Sequence, residues 1–376
     1  MCSAPRHVTT TTVERTSGTP STIRPVPELV VIAEQLLAPV PGGTGRYTAE
    51  VLRALAATAP PGWEVSSVVA RRSDVSGARI DGVAGPRVLP LPPRALIAAW
   101  QLGVPYWPGG DAVHAPTPLA PPRGRVSVTV HDTVPWTHPE TLTPRGVTWH
   151  RSMITRAARR AAGLVVPTGA VAADLARHVR VDVPVRVAGH GVTTALGSDK
   201  TDLDLPKRYV LAVGTIEPRK GIDVLIEAMA ELDVPLVVAG QPGWGGLDPV
   251  ALAGDRADVR VLGRLSDADL GAVLHRATVL AAPSLAEGFG LPVLEAMAAG
   301  VPVVHSDAPA LVEVAGGAGL CVPRRDVKAL ATALREVLDS PERAAELAGA
   351  GRARAAEFSW RNAAEAIWGI HVPAEL

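Results

Sequence analysis

From residue 28 onwards, short apolar runs alternate with longer amphipathic stretches. Residues 29–33 form a continuous apolar run of strand length, ended by the glycine-rich segment Pro41-Gly42-Gly43-Thr44-Gly45. The stretch 46–59 then sets Val51, Leu52 and Leu55 on one face and predicts a helix. Further strands are predicted at 65–70, 87–91, 112–114, 126–130, 164–167 and 185–188, with a helix at 149–162. Residues 193–207 are polar, without apolar period, and predict an interdomain linker. Beyond it the pattern restarts, with strands at 209–213, 235–239, 259–262, 279–282 and 301–305. Helices are predicted among them at 222–231, 267–276 and 291–299, then at 327–355 and 360–370. Strand–loop–helix repetition of this kind specifies a parallel α/β sheet. Two series predict two Rossmann-like domains facing a deep cleft, with ligands outside the carboxyl ends of the strands.

Length agrees: 376 residues suit two domains, taken as 28–192 and 208–355 on either side of the linker. The Thr-, Ser- and Pro-rich start, 1–27, has no apolar run and is expected to be a disordered leader. Apolar residues make up 47% of the chain but aromatics only 3%, so both cores must rest on Val, Leu, Ala and Ile. Basic and acidic residues balance at 37 each, which argues against a nucleic-acid partner. Cys2 and Cys321 make no disulfide framework, so a reducing cytoplasm is the expected compartment. No run approaches the ~18 continuous apolar residues of a membrane span. Arg151, Arg156, Arg159 and Arg160, beside Trp149, Met153 and Ile154, make a basic amphipathic stretch at 151–160. It fits peripheral contact with anionic lipid, or simply a solvated arginine face.

The most informative segment runs from Ala282 to Gly300. Gly288 and Gly290 allow close backbone approach, and Pro292 fits the first turn of the helix that follows. The free N–H groups of that turn suit an anion such as a diphosphate. Glu287 and Glu295 flank this anion site. Carboxylates there are electrostatically wasteful unless they accept hydrogen bonds from hydroxyls, as a sugar nucleotide would provide. The plainer alternative is a helix that begins at glycine and carries two surface acids. A second segment, Gly214-Thr215-Ile216-Glu217-Pro218-Arg219-Lys220-Gly221, sets two cations between a strand and a helix, where they can clamp phosphate oxygens or stand as a solvated basic turn. Asp267-Ala268-Asp269 follows Ser266 and reads as a helix cap rather than a metal site. No Gly-x-Gly-x-x-Gly follows a strand, which argues against a nicotinamide dehydrogenase.

Glu287 and Glu295, with seven residues between them around Gly-Phe-Gly-Leu-Pro, resemble the paired-glutamate motif of the retaining family 4 glycosyltransferases. The resemblance implies the GT-B fold, with a C-terminal helix (356–376) crossing back towards the N-terminal domain. It implies a metal-independent enzyme without cofactor, moving a hexose from a nucleoside-diphosphate sugar to a hydroxyl acceptor. Glu295 would then bind ribose hydroxyls and Glu287 the transferred sugar. Arg219 and Lys220, with Gly288, Phe289, Gly290 and Leu291, would hold the diphosphate. Gly263, Arg264 and Leu265 would border the nucleobase, and Gly43 and Gly214 would lie on the donor side. His131 would reach the transferred sugar, while Gly45, Arg46, Tyr47, His114 and Asp132 would face the acceptor. His190 stands where the family often has asparagine and is read as a hinge. The glycine loop with His131-Asp132 is similar to bacterial mannosyltransferases of the family, so GDP-mannose is the first expected donor and UDP-sugars the next. Val165-Val166-Pro167-Thr168 departs from the pattern, lacking the usual serine. A sugar-nucleotide epimerase and a non-catalytic sugar-nucleotide binder remain open. Oligomeric state is not legible.

Overall fold

The computed structural model describes residue 1 and residues 26–193, 196–197 and 200–372. Most of the expected leader, 2–25, lies outside the described residues, as do linker positions 194, 195, 198 and 199 and the end of the chain, 373–376.

Two all-parallel sheets carry the fold. The first holds β1 (Glu28–Ile32), β2 (Glu64–Val69), β3 (Ala84–Val88), β4 (Ala112–Ala115), β5 (Val126–Thr129), β6 (Gly163–Val166) and β7 (Val185–Val187), in the order β3-β2-β1-β4-β5-β6-β7. The second holds β8 (Val210–Val213), β9 (Leu236–Ala239), β10 (Val259–Gly263), β11 (Val279–Ala282), β12 (Val303–Ser306) and β13 (Leu320–Val322), in the order β10-β9-β8-β11-β12-β13. Each strand order reverses beside the first strand of its sheet, so each sheet is a doubly wound Rossmann-like unit with a switch point at its centre. Central strands are buried on both faces; Leu29, Val30, Val31 and Ile32 are all covered. That is why they read as continuous apolar runs rather than as alternation.

Several boundaries differ from the sequence reading. The first helix is Gly42–Ala57 and takes in the glycine segment, because the Gly45 amide donates to the Pro41 carbonyl at 2.8 Å and closes the first turn there. The expected helix at 327–355 is two, Val327–Asp339 and Pro341–Ala355; Ser340 accepts from the Arg343 amide and caps the second. Apolar pattern alone does not mark helices Pro93–Gln101, Gly169–His178 and Pro309–Ala315, or strand β13. All are short, and each finds its core only through tertiary contact.

The last helix, Trp360–His371, leaves the second sheet and packs on the first. Trp360, Ala363, Ala364, Ile367 and Trp368 share a core cluster with Leu29, Val31, Tyr47, Val51 and Leu55. His371 Nε2 and Ser127 Oγ are 2.7 Å apart, which ties its end to β5. The architecture is therefore GT-B: two Rossmann-like domains and a C-terminal crossover.

Candidate functional site

The C-terminal strand ends of both sheets open onto one cleft. A cavity of ≈ 370 Å³ lies there, walled on one side by Gly43, Gly45 and Arg46 and on the other by Gly214, Gly263 to Leu265 and Glu295. Gly214, at the end of β8, has φ +142°, a conformation that a side chain would strain.

Around Glu287 the charges are closely knit. Lys220 Nζ donates to Glu287 Oε1 at 2.5 Å, Ser284 Oγ donates to the same oxygen at 2.8 Å, and Arg219 Nη1 lies 3.7 Å from Oε2. Arg219 also donates to Glu217 Oε1 at 2.5 Å and to the Ala286 carbonyl at 2.8 Å. Burial alone would raise the Glu287 carboxyl, but Lys220 and then Arg219 outweigh it and hold it below its ordinary value. Burial pulls the Arg219 guanidinium down, yet Glu287 and Glu217 leave it raised overall. Both partners are therefore ionised at neutral pH. Ser284, at the start of the same Ala282–Gly300 segment, thus orients Glu287 through a side-chain hydrogen bond that spacing alone does not reveal.

Glu295 is 4% exposed, in the helix Leu291–Ala299. Burial pushes its carboxyl up to about 7, against the pull of Arg46 and with a further push from Asp267. Arg46, expected on the acceptor side, instead bridges the cleft: its Nη2 donates to Asp267 Oδ1 at 2.6 Å and its Nε is 3.5 Å from Glu295 Oε1. Ser266 rather than Asp267 caps the helix Asp267–Arg276, accepting from the Asp269 amide at 3.1 Å. Among the described residues no group of three or more His, Cys, Asp and Glu is placed to hold a metal.

The N-terminal candidates divide. His131 follows β5; its Nε2 lies 2.7 Å from the Pro116 carbonyl and so carries the proton, leaving Nδ1 as the bare nitrogen. Burial lowers its basicity more than Pro116 and Asp132 restore, and the ring is neutral. Across the cleft, a Cβ on Gly288 would lie only 1.8 Å from the His131 carbonyl oxygen, so these two backbones touch because residue 288 has no side chain. Asp132 accepts from the Val134 amide at 3.1 Å and adds to the negative field around Arg219.

Two acceptor-side expectations are corrected. Tyr47 is 1% exposed, its hydroxyl 2.9 Å from Thr129 Oγ1 and its ring edge-on to His131; it supports the cleft wall from beneath. His114 is wholly buried, with Nδ1 2.8 Å from Ser127 Oγ, and belongs to the core. Helical phase and strand alternation turn both inward.

His190, the expected hinge, stacks on Trp360 with centroids 5.5 Å apart and meets Phe289 at 4.4 Å and Tyr47 at 4.8 Å. One ring thus touches both domains and the crossover helix. Sequence reading missed a further contact. Glu313 accepts from the Gly169 and Ala170 amides, both at 2.8 Å, capping from one domain a helix of the other. Thr168, which stands where serine was expected, donates to the Gly288 carbonyl at 3.1 Å and accepts from the Val171 amide at 3.2 Å. On the helix Pro144–Arg160, Arg156 turns inward to the Ala120 carbonyl and Arg151 donates to the Pro135 carbonyl at 2.9 Å, so half of the expected basic face is spent on structure. Among the described residues no helix is long and apolar enough to cross a membrane.

Comparison with known proteins agrees with this fold. The family model "Glycosyltransferase Family 4" matches residues 41–196 and "Glycosyl transferases group 1" matches residues 197–354. The chain belongs to the GT4/GT1 glycosyltransferase superfamily. It is 39% identical over 163 residues to an O-antigen chain mannosyltransferase B of Escherichia coli, covering 41% of this chain and 43% of that protein. It is 35% identical over 224 residues to an MMP alpha-(1->4)-mannosyltransferase of Mycolicibacterium hassiacum, covering 56% of this chain and 54% of that protein. These matches span about half of each relative's length. Solved GT-B structures align almost throughout: a sucrose-phosphate synthase of Thermosynechococcus elongatus at TM-score 0.69 and 23% identity covers 92% of this chain and 98% of that one. Anabaena HepE, solved with UDP and glucose, aligns at TM-score 0.70 and 18% identity, covering 91% of this chain and 98% of its own. At such identities the likeness concerns the fold.

Proposed function

We propose that this superfamily member is a retaining hexosyltransferase that uses a nucleoside-diphosphate sugar, with mannose as the first candidate sugar. The observation that carries the reading is the Arg219–Lys220–Glu287 cluster beside the amides of the Leu291–Ala299 helix. Fixed cations and bare N–H groups suit the charge that grows on a departing diphosphate. Glu287, kept ionised by those cations, is an acceptor for hydroxyls of the transferred sugar and a negative neighbour for an oxocarbenium-like centre.

In this scheme the donor sits on the second domain, with the nucleobase along Gly263, Arg264 and Leu265 and the ribose at Glu295. Its diphosphate lies between Arg219, Lys220 and the Phe289, Gly290 and Leu291 amides, facing Gly43 and Gly214. His131 and Asp132 approach the sugar from the first domain. The leaving phosphate oxygen takes the acceptor's hydroxyl proton as the new bond forms on the same face, so configuration is retained. Closure of the two domains expels water and limits donor hydrolysis. Mannose is supported by the names of three relatives: the two mannosyltransferases above and the serotype-specific mannosyltransferase WbdA of Escherichia coli, 32% identical over 176 residues.

Thermal-shift titration with GDP-, UDP-, ADP- and dTDP-sugars, followed by NMR of the product's anomeric centre, tests the reading. GDP-mannose should raise the melting temperature most, and the product should keep the donor's anomeric configuration. Absence of a shift with every nucleotide sugar overturns it.

A further inference from the structure

Two buried polar atoms in the cleft find no hydrogen-bond partner: Glu295 Oε1 and Arg46 Nη1. Their residues meet across the domain boundary, with Arg46 Nε 3.5 Å from that same Glu295 oxygen, beyond good hydrogen-bond reach. Leaving a buried acceptor or donor unmade is costly, and folded proteins seldom do so without a reason. Both residues line the ≈ 370 Å³ cavity, on opposite walls, with Gly263 and Leu265 beside them. The orphan pair is complementary: one atom accepts, its neighbour donates. A hydroxyl satisfies both, giving its proton to the carboxylate while its oxygen accepts from the guanidinium. A phosphate would meet only Arg46, and an ammonium only Glu295.

We infer that Arg46 is a donor-site residue supplied by the opposite domain, and that it and Glu295 together clasp one ribose hydroxyl of the nucleotide. This rests on the proposed function, which supplies the nucleotide, and adds a positioning residue and a selectivity to it. Asp267 anchors the guanidinium through the 2.6 Å contact and so sets its fork over the cavity. Arg46 also opposes the burial that favours a neutral Glu295. Because the clasp has one jaw in each domain, it exists only when the domains are closed. The nucleotide's sugar is thereby read at the moment of closure, and ribonucleoside diphosphates are selected over deoxyribonucleoside ones.

Isothermal titration measures this. Wild type is titrated with GDP, UDP and ADP, and then with the 2′-deoxy and 3′-deoxy forms of whichever binds most tightly. One of the two deoxy forms should bind roughly tenfold more weakly, the factor carried by one charge-assisted contact. Arg46→Gln should bind the ribonucleotide about tenfold more weakly and lose most of that discrimination, which a merely structural residue would leave intact. Arg46→Lys, which keeps charge but not the fork, serves with the same expected loss of discrimination if R46Q does not fold. Wild-type discrimination retained in the variant overturns the clasp while leaving the glycosyltransferase reading standing. Failure of wild type to bind any of the three nucleotides overturns both.

Discussion

Lys220 Nζ and Glu287 Oε1 lie 2.5 Å apart, joining the loop after β8 to the loop after β11 at the floor of the cleft. The lysine side chain is 18% exposed and the glutamate 12%, so this pair is neither a solvated surface bridge nor a sealed core one. The ammonium helps hold the Glu287 carboxyl below its ordinary value.

Lys220→Ala should therefore lower turnover by about 2–4 kcal/mol in activation free energy, the range for losing a transition-state charge contact. Nucleotide release measured under saturating donor checks it. Near-normal kcat would remove Lys220 from the mechanism.

Gly288→Ala should fold but fail to close. Its new Cβ would meet the His131 carbonyl oxygen at 1.8 Å, a backbone atom that cannot swing aside like a side chain. Small-angle scattering should show a larger radius of gyration than wild type, together with a large loss of turnover. A wild-type radius would show that the contact is dispensable.

Glu313→Gln should weaken closure more mildly. The carboxylate receives two amides from the other domain, and charge-assisted caps are worth about 1–2 kcal/mol. Donor KM should rise several-fold with little change in urea midpoint, because each domain keeps its own core. Equal loss of stability would mean that Glu313 serves folding instead.

Acid should destabilise the fold below about pH 6.5. Burial depresses His114, His131, His190 and His305 below the ordinary 6.5, and His371 to about 4. Above that ordinary value both states are neutral. As pH falls through it, the unfolded chain gains protons that the folded one refuses, so stability declines until the folded histidines titrate. Glu295 acts the opposite way, since its raised value makes folding less favourable as pH climbs from 4.5 towards about 7. One carboxyl opposes five imidazoles, so the net expectation is a loss on acidification. Urea unfolding at pH 7.5 and pH 5 checks it, and His371→Asn should flatten the slope.

Much of the second domain was legible as sequence. The helix Leu291–Ala299 begins and ends where Gly290, Pro292 and Gly300 place its boundaries, and Asp267–Arg276 follows its Ser266 cap. Local chemistry governs those ends: left-handed glycines at φ +97° and +74°, a proline in the first turn, and a hydroxyl that accepts an amide. Where the same rules compete with longer-range packing, the reading slipped. The Gly42-Gly43-Thr44-Gly45 segment has loop composition, yet it is helical, its first turn closed by the Gly45 amide on the Pro41 carbonyl. Tyr47 and His114 carry chemistry that suggests a site, and only their burial assigns them to the core.

By itself, the order of residues determined the two parallel sheets and the motifs at their strand ends, because strand runs, caps and turns act over a few neighbours. Tertiary structure alone decided which side chains face each other across the cleft. Arg46 reaches Asp267 over a separation of 221 residues and Glu313 reaches Gly169 over 144. Contacts that distant depend on the packing of whole domains, and no local pattern encodes their geometry.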